Sequence, residues 1–177
     1  MMEVFYHFLF PYVLLTLIGV KPKHAIPLAA LAVTPDLDVL FYVHRSLSHS
    51  VVVILLVFAA PLLYTGLRRR SLFRYVLYGF LSVASHPVFD MLGGYTPILW
   101  PIYHKSIAIS TQLQVMVNPT IHLEPSFNIF QTPTVFNHLT DWQALVFSGP
   151  AALMTALISL YLLWSAVSHI PESGGNV

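Results

Sequence analysis

The residues with the greatest chemical capacity lie between Pro35 and Ser50, in the stretch PDLDVLFYVHRSLSHS. It carries two carboxylates (Asp36, Asp38), two imidazoles (His44, His49) and the Arg45 guanidinium, in a chain that is 56% hydrophobic and only 8% charged. Ionisable groups are costly to keep in such apolar surroundings, so their clustering marks a site unless they pair structurally. A second element, HPVFD, sets His86 and Asp90 four residues apart, which on a helix puts imidazole and carboxylate on one face, able to share an ion. His7 stands alone in the apolar N-terminal run. Imidazole with carboxylate is the ligand set of zinc, manganese and iron hydrolases. The chain has no cysteine, which excludes thiolate ligands, thiol nucleophiles and disulfides.

The elements that must position these groups are read from hydrophobic patterning. A length of 177 residues predicts a single domain spanning 1–177, and the composition predicts an all-α integral membrane protein of about five helical segments. The expected spans are 4–20, a short or broken segment 24–43, 49–67 with a kink at Pro61, 74–92, and 143–167 with a Gly149-Pro150 kink. The first run has no positive leader and no small-residue cleavage site before Lys21, and so reads as a retained span. His24 to Thr34, rich in small residues, suits close helix packing and is expected to end at Pro35, leaving Asp36 and Asp38 below the membrane surface. Residues 93–141 read as an extracytoplasmic cap of irregular or short β structure, with alternating runs such as Ser106 to Thr111, and 168–177 as a fraying tail. His104, His122 and His138 read as loop histidines of this cap, and His24 and His169 as interfacial.

A net charge of +1, with six of the eight basic residues in two short runs, offers no broad basic face and argues against nucleic acid as a partner. Membrane lipids are the expected surroundings. Lys21, Lys23, Arg68, Arg69, Arg70 and Arg74 fall on one side of the expected topology, which makes that side cytoplasmic, with the N-terminus outside and the C-terminus inside. Helical rise from these basic turns puts His7, Asp36, His86 and Asp90 in one layer about 18 to 24 Å above the cytoplasmic surface, and His49 at about 28 Å. Ionisable groups from four segments thus converge on one depth. Three carboxylates against one nearby Arg need further positive charge, which one or two divalent ions supply.

The N-terminal His7, Pro35 to Asp38, His44 to Ser50, His86 to Asp90, Gly94 and Leu99-Trp100-Pro101, in this order, resemble the YdjM-like, LexA-regulated family of membrane-bound metal-dependent hydrolases. Ser46 stands where that family often has Gly, and Ser48 where it often has Thr. The H-x3-D element is also distantly similar to the zinc-dependent phospholipase C and P1 nuclease group, although His122 and Glu124 have the wrong spacing for that group's second ligand pair. The resemblance implies a hydrolase with His7, Asp36, Asp38, His49, His86 and Asp90 as metal-site residues.

The expectation is therefore a membrane-bound hydrolase holding a divalent metal, zinc before manganese or iron, and acting on a phosphoester or lipid-linked substrate at the extracytoplasmic side. Asp36 or Asp38 would serve as general base if it is not a ligand. His44 and Arg45 would hold the anionic group of the substrate. A transporter using the same groups as a metal or proton relay is the alternative, but it needs a polar path that Val51 to Leu63 lacks. A scaffold with structurally paired His and Asp is the third reading.

Overall fold

The computed structural model describes residues 4–117 and 121–136, together with Leu139 and Ile158. The expected last span and the tail lie outside these residues, apart from Ile158, which is helical. Helix α1 runs Val4–Leu17 and α2 runs Pro22–Ala30. A 3-10 segment, Leu31–Phe41, continues α2 without a break, and a second 3-10 turn, Leu47–His49, leads into α3, Val51–Arg68. Helix α4, Arg70–Gly93, follows at once, and a hairpin of β1, Lys105–Val117, and β2, Ile121–Pro133, completes the described chain.

Two of these elements depart from expectation. The helix does not end at Pro35. Proline there has no N–H and would collide with the carbonyl of Leu31 in an α-helix, and the chain tightens to a 3-10 winding that carries Asp36 and Asp38 on to Phe41. Tyr42 then ends the segment in the left-handed conformation, with φ 57°. The continuous Pro22–Phe41 stretch is thereby long and apolar enough to cross a membrane, as is Val51–Arg68. The cap's β structure is also longer than expected, an antiparallel pair of 13-residue strands in register from Lys105↔Pro133 to Val117↔Ile121.

The expected close packing of the small-residue helix is present. Ala25, Ala29 and Ala32 are fully buried, and a Cβ at Gly79 of α4 would press on the Leu31 side chain at 3.2 Å, so the glycine makes room for Leu31 against α4. The distribution of polarity is inverted relative to a water-soluble domain. The largest fully buried side chains include His7, His49, His86 and Asp90, while Leu55, Leu56, Val57, Leu63 and Leu67 of α3 are exposed. Polar groups fill the centre and aliphatic groups coat the outside.

Candidate metal centre

The site is assembled from four segments. Helix α1 supplies His7, the 3-10 segment supplies Asp36 and Asp38, the loop and turn after it supply His44, Arg45 and His49, and α4 supplies His86 and Asp90. All six residues expected at a metal site come together, in three overlapping groups: His7, His86 and Asp90; Asp36, His49 and His86; and Asp38, His44 and His49. In each group, one donor atom per residue lies within 4.8 Å of the others.

The geometry at the centre is specific. His86 Nδ1 sits 2.8 Å from the Ala32 carbonyl, which can only accept, so this nitrogen carries the proton and Nε2 presents a lone pair. His49 Nδ1 lies 3.0 Å from Ser48 Oγ and 3.3 Å from Asp38 Oδ2, which holds its proton in the same way. The two Nε2 atoms then face each other at 3.2 Å. Asp36 Oδ1 lies 3.6 Å from His49 Nε2 and 3.3 Å from His86 Nε2. Asp90 Oδ2 lies 3.3 Å and 3.8 Å from the same two nitrogens. Two carboxylates and two imidazole nitrogens converge on one point, an arrangement that needs positive charge at its centre, supplied by a metal ion or by a proton on His49 Nε2.

The donor set fits such an ion. Four ligands at about 2.0–2.1 Å from a tetrahedral zinc are separated by about 3.3–3.4 Å. The Asp36, His49, His86 triangle has edges of 3.2, 3.3 and 3.6 Å. Three such ligands with a fourth position open is the arrangement of catalytic zinc sites. Orphaned polar atoms point the same way: Asp38 Oδ1, Asp90 Oδ2, both ring nitrogens of His44 and His7 Nδ1 are buried with no hydrogen-bond partner. Unpartnered buried groups of this kind call for an ion or water.

Supporting contacts explain motif residues whose role was obscure. Asp38 Oδ2 accepts from Ser46 N at 3.0 Å, Ser46 Oγ at 2.8 Å and Ser48 Oγ at 3.0 Å, so the serines fix the carboxylate behind His49. Ser50, directly after His49, caps α3 by accepting from Val53 N, and its hydroxyl donates to the carbonyl of Trp100. The Leu99-Trp100-Pro101 turn, with a cis bond before Pro101, thereby braces the turn carrying His49. Gly94 leaves room for Arg45, since a Cβ there would collide with the guanidinium. Arg45 Nη1 donates to the Tyr95 carbonyl at 3.1 Å, and Nε stands 3.4 Å from Asp90 Oδ2. Arg45 is thus partly committed to the protein and not wholly free for substrate.

Exposure divides the cluster into floor and rim. The side chains of His7, His49, His86 and Asp90 are at most 2% exposed, whereas those of Asp36, His44 and Arg45 are 16–18% exposed. Of the expected cap histidines, His138 lies outside the described residues. His104 is exposed, and His122 and Glu124 lie toward the far end of the hairpin, paired in register with Met116 and Gln114.

These features define an apolar, mainly helical protein built around a buried His–Asp cluster. A family model described as YdjM inner membrane protein matches residues 1–170, and the chain belongs to this family. Neither the curated proteins nor the solved structures contain a match.

Proposed function

We propose that the chain is a multi-pass membrane protein with a divalent-metal centre that acts as a hydrolase on a phosphoester or lipid-linked substrate at the extracytoplasmic side. The observation that carries this reading is the convergence of the His49 and His86 Nε2 atoms with the carboxylates of Asp36 and Asp90. Polar residues inside and aliphatic residues outside support a lipid surrounding, as does membership of an inner-membrane family. The basic turns at Lys21–Lys23 and Arg68–Arg70 support an orientation with those turns cytoplasmic and the cluster toward the opposite face.

Asp36, His49 and His86 would hold the ion, with Asp90 and His7 beside it on the α4 side and Asp38 and His44 completing the far side. Zinc fits the donors best, with manganese or iron as substitutes. When bound, such an ion lowers the pKa of water and polarises the scissile group. The chain's own residues do the rest. Asp38 orients His49 through Nδ1, in the manner of a carboxylate behind a metal-binding imidazole. Asp90 could take the place of Asp36 on the ion, its Oδ2 lying 3.3 Å and 3.8 Å from the Nε2 atoms of His49 and His86, and Asp36 at the rim would then be free to accept the proton of the attacking water. The free N–H groups of Arg45, together with His44, receive the substrate's anionic oxygens. The buried floor keeps bulk water away.

The test is turnover by purified protein on short-chain and lipid-linked phosphoesters, with and without chelator. Metal-dependent release of phosphate or alcohol that disappears in His49→Ala supports the reading. A metal-loaded protein that moves an ion or proton across a vesicle without hydrolysis would replace it with a carrier.

A further inference from the structure

At the opposite end of the helices from the His–Asp cluster, the α1–α2 turn and the start of α4 enclose a cleft of about 340 Å³. Lys21, Lys23, His24, Arg74, Tyr75 and Tyr78 line it. The Arg74 guanidinium lies 5.1 Å from the centroid of the Tyr75 ring, and the His24 ring lies 5.6 Å from the same ring, so the aromatic wall holds the basic groups around the opening. No described carboxylate balances them. The described carboxylates, Asp36, Asp38, Asp90 and Glu124, belong to the cluster or the hairpin, and no described ion pair involves Lys21, Lys23 or Arg74. Three fixed cations and two phenols are a recognition set for phosphate oxygens.

A second cavity makes the ligand more specific. A groove of about 210 Å³ runs between α1 and α4, lined by Phe10, Leu14, Leu15 and Leu81, and it shares Ile18 and Tyr78 with the basic cleft. A charged cleft that shares a wall with an apolar groove matches a phosphate headgroup joined to a hydrocarbon chain. Their combined size lies in the range of ordinary ligand pockets, about 300–1,000 Å³.

We propose that this cleft and groove form a binding site for an anionic phospholipid, with its phosphate among Lys21, Lys23 and Arg74 and an acyl chain between α1 and α4. Basic pockets between membrane helices on the cytoplasmic side take such headgroups. The site lies at the other end of the helices from the metal cluster, so this lipid is a resident or regulatory ligand and not the molecule hydrolysed. The inference rests on the membrane placement proposed above.

The experiment is native mass spectrometry of the full chain in detergent, titrated with phosphatidylglycerol, phosphatidylcholine or inorganic phosphate, with bound metal counted in the same spectra. Phosphatidylglycerol is expected to bind about tenfold or more tightly than phosphatidylcholine, and the Lys21→Gln, Lys23→Gln, Arg74→Gln variant to lose about tenfold or more of that affinity. An Arg68→Gln, Arg69→Gln, Arg70→Gln variant, which removes equal charge outside the cleft, is expected to bind as the wild type does. Lys21→Arg with Lys23→Arg should retain binding, which separates charge from misfolding. Equal weakening by both triple variants would reduce the effect to diffuse attraction and overturn the site. Displacement of the lipid by an equal concentration of inorganic phosphate would overturn the acyl-chain half, leaving a free-anion pocket. Lost lipid binding with unchanged metal count defeats this inference alone, and lost metal with unchanged lipid binding defeats only the hydrolase reading.

Discussion

Replacing Asp38 by Asn tests the division of labour inside the cluster. The amide is nearly the size of the carboxylate, so packing is preserved, but Oδ2 now accepts from Ser46 N, Ser46 Oγ and Ser48 Oγ while facing His49 Nδ1 at 3.3 Å. An amide can keep its oxygen toward the serines only by giving up the charge that steadies the His49 proton. It can otherwise turn its NH2 toward them and set donor against donor. Either way His49 Nδ1 loses its charged partner and keeps the Ser48 hydroxyl, so Nε2 is held less firmly toward His86. Loss of such a supporting carboxylate costs about 10- to 100-fold in metal affinity, or about 1.4 to 2.7 kcal/mol. Competition of purified variant and wild type against a zinc chelator measures this directly. A drop in that range with unchanged stoichiometry is the expected outcome. Unchanged affinity would refute the positioning role, and a lost equivalent of metal would make Asp38 a ligand in its own right.

Four further outcomes are expected. Gly94→Ala forces the Arg45 guanidinium off the Tyr95 carbonyl and away from Asp90, and the lost charge-assisted bond should cost about 1.5–3 kcal/mol, read as a lower melting temperature in detergent. Ser50→Ala removes the α3 cap and a donor to Trp100 O, and should cost about 1 kcal/mol while leaving metal content intact, because the serine touches none of the expected ligands' donor atoms. Acidification should release metal and alkalinisation restore it, since imidazole and carboxylate ligands bind only when deprotonated; dialysis at stepped pH followed by metal analysis gives the sign, and retention that increased toward acid would contradict it. A cysteine at position 70 should react with a membrane-impermeant thiol reagent only after the cytoplasmic face is opened, and labelling from outside in intact cells would invert the topology.

The cluster was legible because its members are polar residues in an apolar chain, and because counting helical rise from the basic turns brought His7, Asp36, His86 and Asp90 to one depth. The same arithmetic put His49 somewhat above that layer, and in the structure its Nε2 nevertheless lies 3.2 Å from that of His86. The parts that were missed carry weaker signals. Nothing in the spacing shows that the Ala32 carbonyl fixes the His86 tautomer, because a backbone acceptor has no residue type. Ser46 and Ser48 could be noticed only as departures from a motif, and their grip on Asp38 depends on a loop in which Tyr42 and Arg45 adopt φ of 57° and 56°. The continuation of the helix past Pro35 was hidden by a rule that holds for α-helices and is relaxed by 3-10 winding. In the hairpin, alternation is clear from Ser106 to Thr111, but the polar Gln112 and Gln114, and Pro125 on the partner strand, obscured its full length.

The most direct test of the central claim is metal analysis of the purified chain. Wild-type protein, exchanged against zinc and freed of excess, is expected to keep one or two equivalents, and His49→Ala and His86→Ala to keep markedly less while still eluting as folded protein. A folded wild-type protein that binds no zinc, manganese or iron, or His49→Ala and His86→Ala variants that hold as much metal as the wild type, would contradict it.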